Sequence, residues 1–156
     1  MVLDSLLIPF RAQQPIPALP VGYALSMEHP PTPEELNALL VAAGDPSRAP
    51  ERLRAALERS SWQVSVRNAT GGLAAFVRVT SDQALNANLW DLVADPADAQ
   101  QPRLMQVLVY ATLARLRREL PGCSISVAAP PAAQEALKRH GFLLDPGGIR
   151  AMGLPL

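Results

Sequence analysis

Asp91 is the residue whose type and spacing best suit proton transfer. It lies in Asn88-Leu89-Trp90-Asp91-Leu92-Val93-Ala94, a strand pattern in which it alternates with Leu89 and Val93 along one face. A carboxylate inside a strand is costly unless paired. Burial raises the pKa of an unpaired carboxylate in general, which suits a base acting near neutrality. The alternative is a carboxylate that accepts loop amides and only organises the strand. Trp90 faces the opposite side, where it either lines a pocket or packs in the core against a helix. Asn86 and Asn88 bracket the strand entrance and either bind a substrate or cap the loop.

Other reactive side chains offer less. Cys123 lies in the strand pattern Cys123-Ser124-Ile125-Ser126-Val127 and reads as a small strand residue. A thiol nucleophile needs a base beside it. The only histidines are His29 and His140, and no ligands cluster near them, so neither thiol catalysis nor a zinc site is expected. His140 precedes Gly141 and is expected to face outward or cap carbonyls. One cysteine excludes an intrachain disulfide framework.

Composition sets the frame. The 156 residues suit one domain, 49% of them are apolar, and disorder is excluded as the dominant state. A chain this long buries roughly two-thirds of its unfolded surface without a metal or disulfide. Lys plus Arg equals Asp plus Glu at 14 each, so no net charge steers the chain to nucleic acid or anionic lipid. Arg115, Arg117 and Arg118 fall late in a helical stretch, where positive charge stabilises the C-terminus or binds an anion. The apolar run near Met1 to Phe10 is short and Asp4 interrupts it, unlike a signal peptide. No stretch reaches the ~20 apolar residues of a membrane span. A cytoplasmic location is the expectation.

The elements that must position Asp91 follow from turn and cap signals. Residues 1–20 form an irregular, proline-rich lead-in, and residues 21–156 one domain. A strand is predicted over Gly22 to Met27. Thr32-Pro33-Glu34-Glu35 starts a helix with a capping box, and Leu36, Leu39 and Leu40 give it an apolar stripe. Pro50 to Arg59 is a second helix. Strands at Trp62 to Val66 and Leu73 to Thr80 flank the turn Asn68-Ala69-Thr70-Gly71-Gly72, and Asn88 to Ala94 follows. Pro102 opens a helix that runs to Leu120. Ile125 to Ala129 is a strand, Ala132 to His140 a helix, and Phe142 to Leu144 and Ile149 to Leu154 final strands. The economical fold is α/β, a mixed sheet with helices on both faces.

That order resembles the GCN5-related N-acetyltransferase superfamily. Val79 to Pro96, and Gly141-Phe142, Asp145-Pro146 and Gly148-Ile149-Arg150-Ala151-Met152, resemble its cyanobacterial and plastid members, the serotonin or arylalkylamine-type subgroup. The resemblance spans roughly residues 21–154. It implies a mostly antiparallel sheet with one splayed parallel strand pair, acetyl-CoA as cofactor, and a primary amine of a small molecule or protein as acceptor. The resembling enzymes carry an Asp at the position of Asp91 too, which marks it as the candidate catalytic carboxylate, while a pocket lined by Trp90 would suit an aromatic amine, with Asn86 and Asn88 as candidate substrate contacts. Related domains often form homodimers. Leu92, Val93 and Ala94 match the strand whose backbone pairs with the pantetheine arm. Ala99-Gln100-Gln101-Pro102-Arg103-Leu104-Met105-Gln106 matches the loop and helix start that hold pyrophosphate.

The match departs from the family in two places. The loop holds no glycine, and Pro102 deletes an amide donor, so Arg103 and the helix terminus are left to meet a phosphate. The family's general-acid tyrosine, four residues before Gly-Phe, falls on Leu137, with Ala136 before it. Tyr110 lies on another helix and does not match. The implied site binds acetyl-CoA weakly or not at all. The alternative to an N-acetyltransferase is a catalytically silent homologue that binds a protein or small ligand.

Overall fold

The computed structural model describes residues 15–155. The signal-peptide reading of Met1 to Phe10, and most of the lead-in, lie outside the described residues. The elements run β1 (Ala24–Ser26), α1 (Pro33–Ala42), α2 (Pro50–Arg59), β2 (Trp62–Arg67), β3 (Leu73–Ser81), β4 (Asn86–Ala94), α3 (Gln101–Glu119), β5 (Ser124–Val127) and α4 (Pro131–Arg139). Among the described residues the sheet has five strands, in the order β1-β2-β3-β4-β5. The first three pairings are antiparallel, and β4 and β5 are parallel.

Local chemistry accounts for the starts. Thr32 accepts the Glu35 amide, and the Glu35 side chain accepts the Thr32 amide, which completes the capping box of α1. Pro33, Pro50 and Pro131 each stand in the first turn of their helix, where a missing N–H costs nothing. The β2–β3 hairpin turns through Gly71 at φ 84°, while the Asn68 side chain accepts the amides of Thr70 and Gly72.

The sheet separates two apolar layers. Leu36, Leu39, Leu40 and Leu53 of α1 and α2 pack with Phe76 and Val93. On the other face Leu104, Leu108 and Leu116 of α3, and Ala133 and Leu137 of α4, pack with Val64, Val77, Leu89, Leu92 and Ala94. Alternation on β4 changes phase between Leu89 and Leu92. The expected face of Leu89, Asp91 and Val93 is therefore corrected: Leu89, Leu92 and Ala94 face α3, and Val93 faces α1.

The end of the chain is also corrected. Residues 142–155 form no strand, and Pro146–Gly148 make a short 3-10 turn. Their apolar side chains Leu143, Leu144, Ile149, Met152 and Leu154 stay exposed, and β5 remains the edge of the sheet. A strand there needs a partner that buries one of its faces, and the described chain supplies none. No described helix is long and apolar enough to cross a membrane.

Candidate functional site

The phase change on β4 is a bulge at Asp91. Val93 sits opposite Phe76 and Trp90 opposite Arg78, so β4 spends one more residue than β3 between those pairs. Asp91 takes up the excess at φ 53°, a left-handed conformation that Asp tolerates better than most residues. β4 and β5 pair from Asn86 with Ser124 to Leu89 with Val127, and then they part. The β5 side of Trp90 to Ala94 has no strand partner among the described residues. Bulge and splay thus coincide.

Arg78 fixes this geometry. Its Nε donates to Asp91 Oδ2 at 2.5 Å, and both side chains are more than four-fifths buried. Its guanidinium lies 5.8 Å from the Trp90 ring centre. Trp90 donates its indole N–H to Thr80 Oγ1 at 2.8 Å and is 44% exposed, so it is not a core residue. Trp90 and Asp91 meet the same arginine, which corrects the expectation that they face opposite sides. Asp91 is likewise not an unpaired interior carboxylate.

A cavity of about 440 Å³ opens at the splay. Leu89, Trp90, Val127, Leu137 and Phe142 make it apolar, and Asn88, Ser126, Gln134 and Lys138 add polar groups. Ser126 Oγ donates to Asn88 Oδ1 across the strand pair. Asn88 and Trp90 therefore share one cavity. Asn86 does not line it: its amide and carbonyl close the β3–β4 loop through Asp82 and Ser81. The side chains of Leu92, Val93 and Ala94 are buried in the core layers. Only their backbone faces the gap, which is what pairing with an amide-bearing arm requires. The Gln101 side chain donates to the Ala94 carbonyl at 3.3 Å. The splay fits the pantetheine part of acyl-CoA.

The loop from Asp95 to Arg103 does not fit a pyrophosphate. Its amides are already taken: Ala97 N–H by Asp95 Oδ1, Asp98 N–H by the Asp95 carbonyl, Gln100 N–H by Asp98 Oδ1, and Gln101 N–H by the Asp98 carbonyl. Pro96 and Pro102 have none to give. Ala99 and Arg103 keep the only unpartnered amides of this loop among the described residues. The Asp98 carboxylate also accepts the Tyr23 hydroxyl at 2.9 and 2.8 Å, and this bond raises the tyrosine pKa. A carboxylate thus occupies the role that the loop would give a bound anion. Leu104 and Met105 bury their side chains beneath α3, and the Leu104 amide bonds Gln100. Gln100 is exposed at the helix start, and Arg103 projects from the first turn.

Leu137 lines the splay cavity and is almost fully buried, so the apolar group stands where a proton donor was sought. His140 lies beside Tyr110, ring centres 6.1 Å apart, with its pKa lowered first by burial and then by Arg117. Neither lines the splay cavity.

Sequence reasoning missed Arg78, Asp82, Asp95 and Asp98. Asp82 accepts the amides of Ala84, Leu85 and Asn86, and the Asn86 amide leads the bonds that hold its pKa at about 2. Asp followed two residues later by a free amide is a turn signal, so Asp95 and Asp98 were findable. Arg78 left no local signal.

No protein-family model matches the chain. An uncharacterized N-acetyltransferase ycf52 of Pyropia yezoensis is 32% identical over 121 residues, which are 76% of this chain and 68% of that protein. Serotonin N-acetyltransferase 2, chloroplastic, of rice (Oryza sativa subsp. japonica) is 36% identical over 75% of this chain and 59% of its own length. A probable acetyltransferase from Staphylococcus aureus superposes with TM-score 0.75 at 16% identity, over 86% of this chain and 99% of that one. The GNAT family protein YhbS of Escherichia coli, solved in complex with CoA, gives TM-score 0.60 at 20% identity, over 83% and 73%. With the splayed parallel pair in the same fold and relatives above 30% identity, the chain belongs to the GCN5-related N-acetyltransferase family.

Proposed function

We propose that this protein binds the acyl-pantetheine end of acetyl-CoA in the β4–β5 splay and transfers the acetyl group to a primary amine slowly. The observation that carries the reading is the separation of β4 from β5 after Leu89, beside a cavity that holds Asn88 and Trp90. Acetyl-CoA supplies a thioester carbonyl open to amine attack. The chain's part is to orient the arm along the Trp90 to Ala94 backbone, exclude water with Leu89, Leu137 and Phe142, and hold the amine near Trp90 and Asn88. Asp91 is the carboxylate within this strand and does not itself line the cavity, so we assign it an indirect role on the amine side through its bond to Arg78, which lies against Trp90.

Two observations favour a second reading, a catalytically silent homologue. The loop amides bond Asp95 and Asp98, and Leu137 donates no proton. Lost charge-assisted hydrogen bonds cost about 1.5 to 3 kcal/mol each, so one or two weaken binding by roughly one to four orders of magnitude. General acid help is worth about 10²- to 10⁴-fold in rate.

Calorimetric titration with acetyl-CoA, followed by an amine acetylation assay, separates the readings. Binding weaker than low micromolar with slow product formation supports the first. A dissociation constant at low micromolar or tighter shows that the occupied loop matters little. No binding and no product leave the silent homologue.

Three of the relatives carry "chloroplastic" in their names. We place a plastid location beside the cytoplasmic one, and microscopy of the tagged chain decides between them.

A further inference from the structure

We propose that Lys138 is a self-acetylation site, whose amine accepts the acetyl group of a pantetheine thioester seated in the β4–β5 splay. The proposal rests on the acyl-CoA reading above and goes beyond it by naming an acceptor inside the chain. Lys138 is the only lysine in the sequence, and arginine supplies the rest of the 14 Lys and Arg. That single lysine lines the splay cavity of about 440 Å³, with Gln134 one turn earlier on α4 and Leu137 beside it.

A lysine in the wall of an acyl site differs in kind from an arginine. The guanidinium keeps its charge, whereas an ammonium that gives up a proton becomes a nucleophilic amine. Nothing among the described residues holds the Lys138 side chain in a hydrogen bond or ion pair. Its neighbour Arg139 pairs instead with Glu135 at 3.3 Å. Asp145, the one carboxylate in the cavity lining, pairs with Arg150 at 3.5 Å. The flexible four-carbon stem therefore leaves the Nζ group free to sweep the cavity.

In the proposed step, Lys138 Nζ gives one proton to solvent, and its lone pair attacks the thioester carbonyl carbon. The C–N bond forms, and the C–S bond breaks with its electron pair going to sulfur. A second Nζ proton passes to that sulfur. The products are Nζ-acetyllysine, a free thiol and the proton released to solvent. Leu137 offers no proton to the departing thiolate, and the attacking amine brings its own. Acetylation removes the positive charge of Lys138 and leaves an acetamide in the acyl space.

The test follows acetylation of the full chain by intact-mass and fragment mass spectrometry, with S-acetylpantetheine and acetyl phosphate as donors in separate arms. From S-acetylpantetheine, Lys138 is expected to gain one acetyl group at least about tenfold faster in the folded chain than in the guanidinium-unfolded chain, because the fold holds amine and thioester together. The folded rate is expected to be independent of protein concentration. Acetyl phosphate has no arm to fill the splay and is expected to show no such acceleration. Lys138→Arg with Arg139→Lys keeps charge and composition, but moves the amine to a position that lines the cleft between α3 and α4 and not the splay cavity. The acceleration is expected to be lost. Equal folded and unfolded rates, equal acceleration with acetyl phosphate, a rate that rises with protein concentration, or an unchanged swapped variant each overturn the site. Amide NMR with S-acetylpantetheine separates the two readings. If Leu89 to Ala94 shift and a small external amine is acetylated while Lys138 stays unmodified, self-acetylation falls alone. If nothing shifts and nothing is acetylated, the acyl-CoA reading falls and self-acetylation with it.

Discussion

Arg78 and Asp91 form a 2.5 Å ion pair between neighbouring strands, and the pair closes over the bulge that parts β4 from β5. A left-handed Asp within a strand is strained unless its surroundings hold it. The guanidinium provides that hold and leans on Trp90 as well.

Asp91→Asn removes the charge that neutralises a mostly buried arginine. We expect a loss of about 1 to 3 kcal/mol in urea unfolding. Arg78→Met should cost a similar amount, and the double variant less than the sum. If Asp91 also serves catalysis, Asp91→Asn lowers kcat/KM for an accepted amine while the circular dichroism spectrum is kept. Unchanged kinetics remove Asp91 from the mechanism and leave it the role of holding the bulge.

Leu137→Tyr tests the missing proton donor. Leu137 is 2% exposed and borders the splay cavity, so a tyrosine there must send its hydroxyl into that space. Turnover should rise about 10-fold or more, within the range of general acid help. The calorimetric affinity for acetyl-CoA should not change. Greater affinity with no gain in turnover would assign the new side chain to packing.

Asp98→Asn tests the occupied loop. The change removes a negative charge from the α3 start and weakens acceptance of the Tyr23 hydroxyl and the Gln100 amide. Affinity for acetyl-CoA should rise about tenfold, the scale of one charged contact. Glycine at Ala99 alone should do less, because it leaves the carboxylate in place. Equal affinity in Asp98→Asn and the unmodified chain would show that the loop carboxylate does not oppose the cofactor.

Glu35 gives a pH signature in a part of the fold remote from the splay. Arg67, with Nη1 at 2.6 Å and Nη2 at 3.0 Å, and then the Thr32 amide hold its pKa at about 2, below the ordinary 4.5. A depressed carboxylate contributes stability above its unfolded pKa and loses it as pH falls through the folded one. The stabilisation over Glu35→Gln should be complete above about pH 4.5 and vanish toward about pH 2. The side chain is a third exposed, so solvent screening reduces the difference to about 1 to 2 kcal/mol. Thermal melts of both proteins from pH 7 to pH 2 measure it, and a constant gap across that range would contradict it.

The sequence by itself determined the elements whose causes lie within a few residues. Thr32-Pro33-Glu34-Glu35 fixed the start of α1, Pro50 the start of α2, and Asn68 to Gly72 the hairpin, because caps and turns close over two to four residues. The order of those elements and the Val79 to Pro96 resemblance carried the fold and its splayed pair. Tertiary structure alone decided the rest. Period-two alternation registers no inserted residue, so the bulge at Asp91 and its reversal of faces became visible only against β3. The Phe142 to Leu144 and Ile149 to Leu154 strand patterns gained no partner and stayed irregular. Tyr23 and Asp98 meet across 75 positions of chain, and Arg78 reaches Asp91 across 13. No local rule joins such pairs, because the free energy that joins them comes from packing the layers between them.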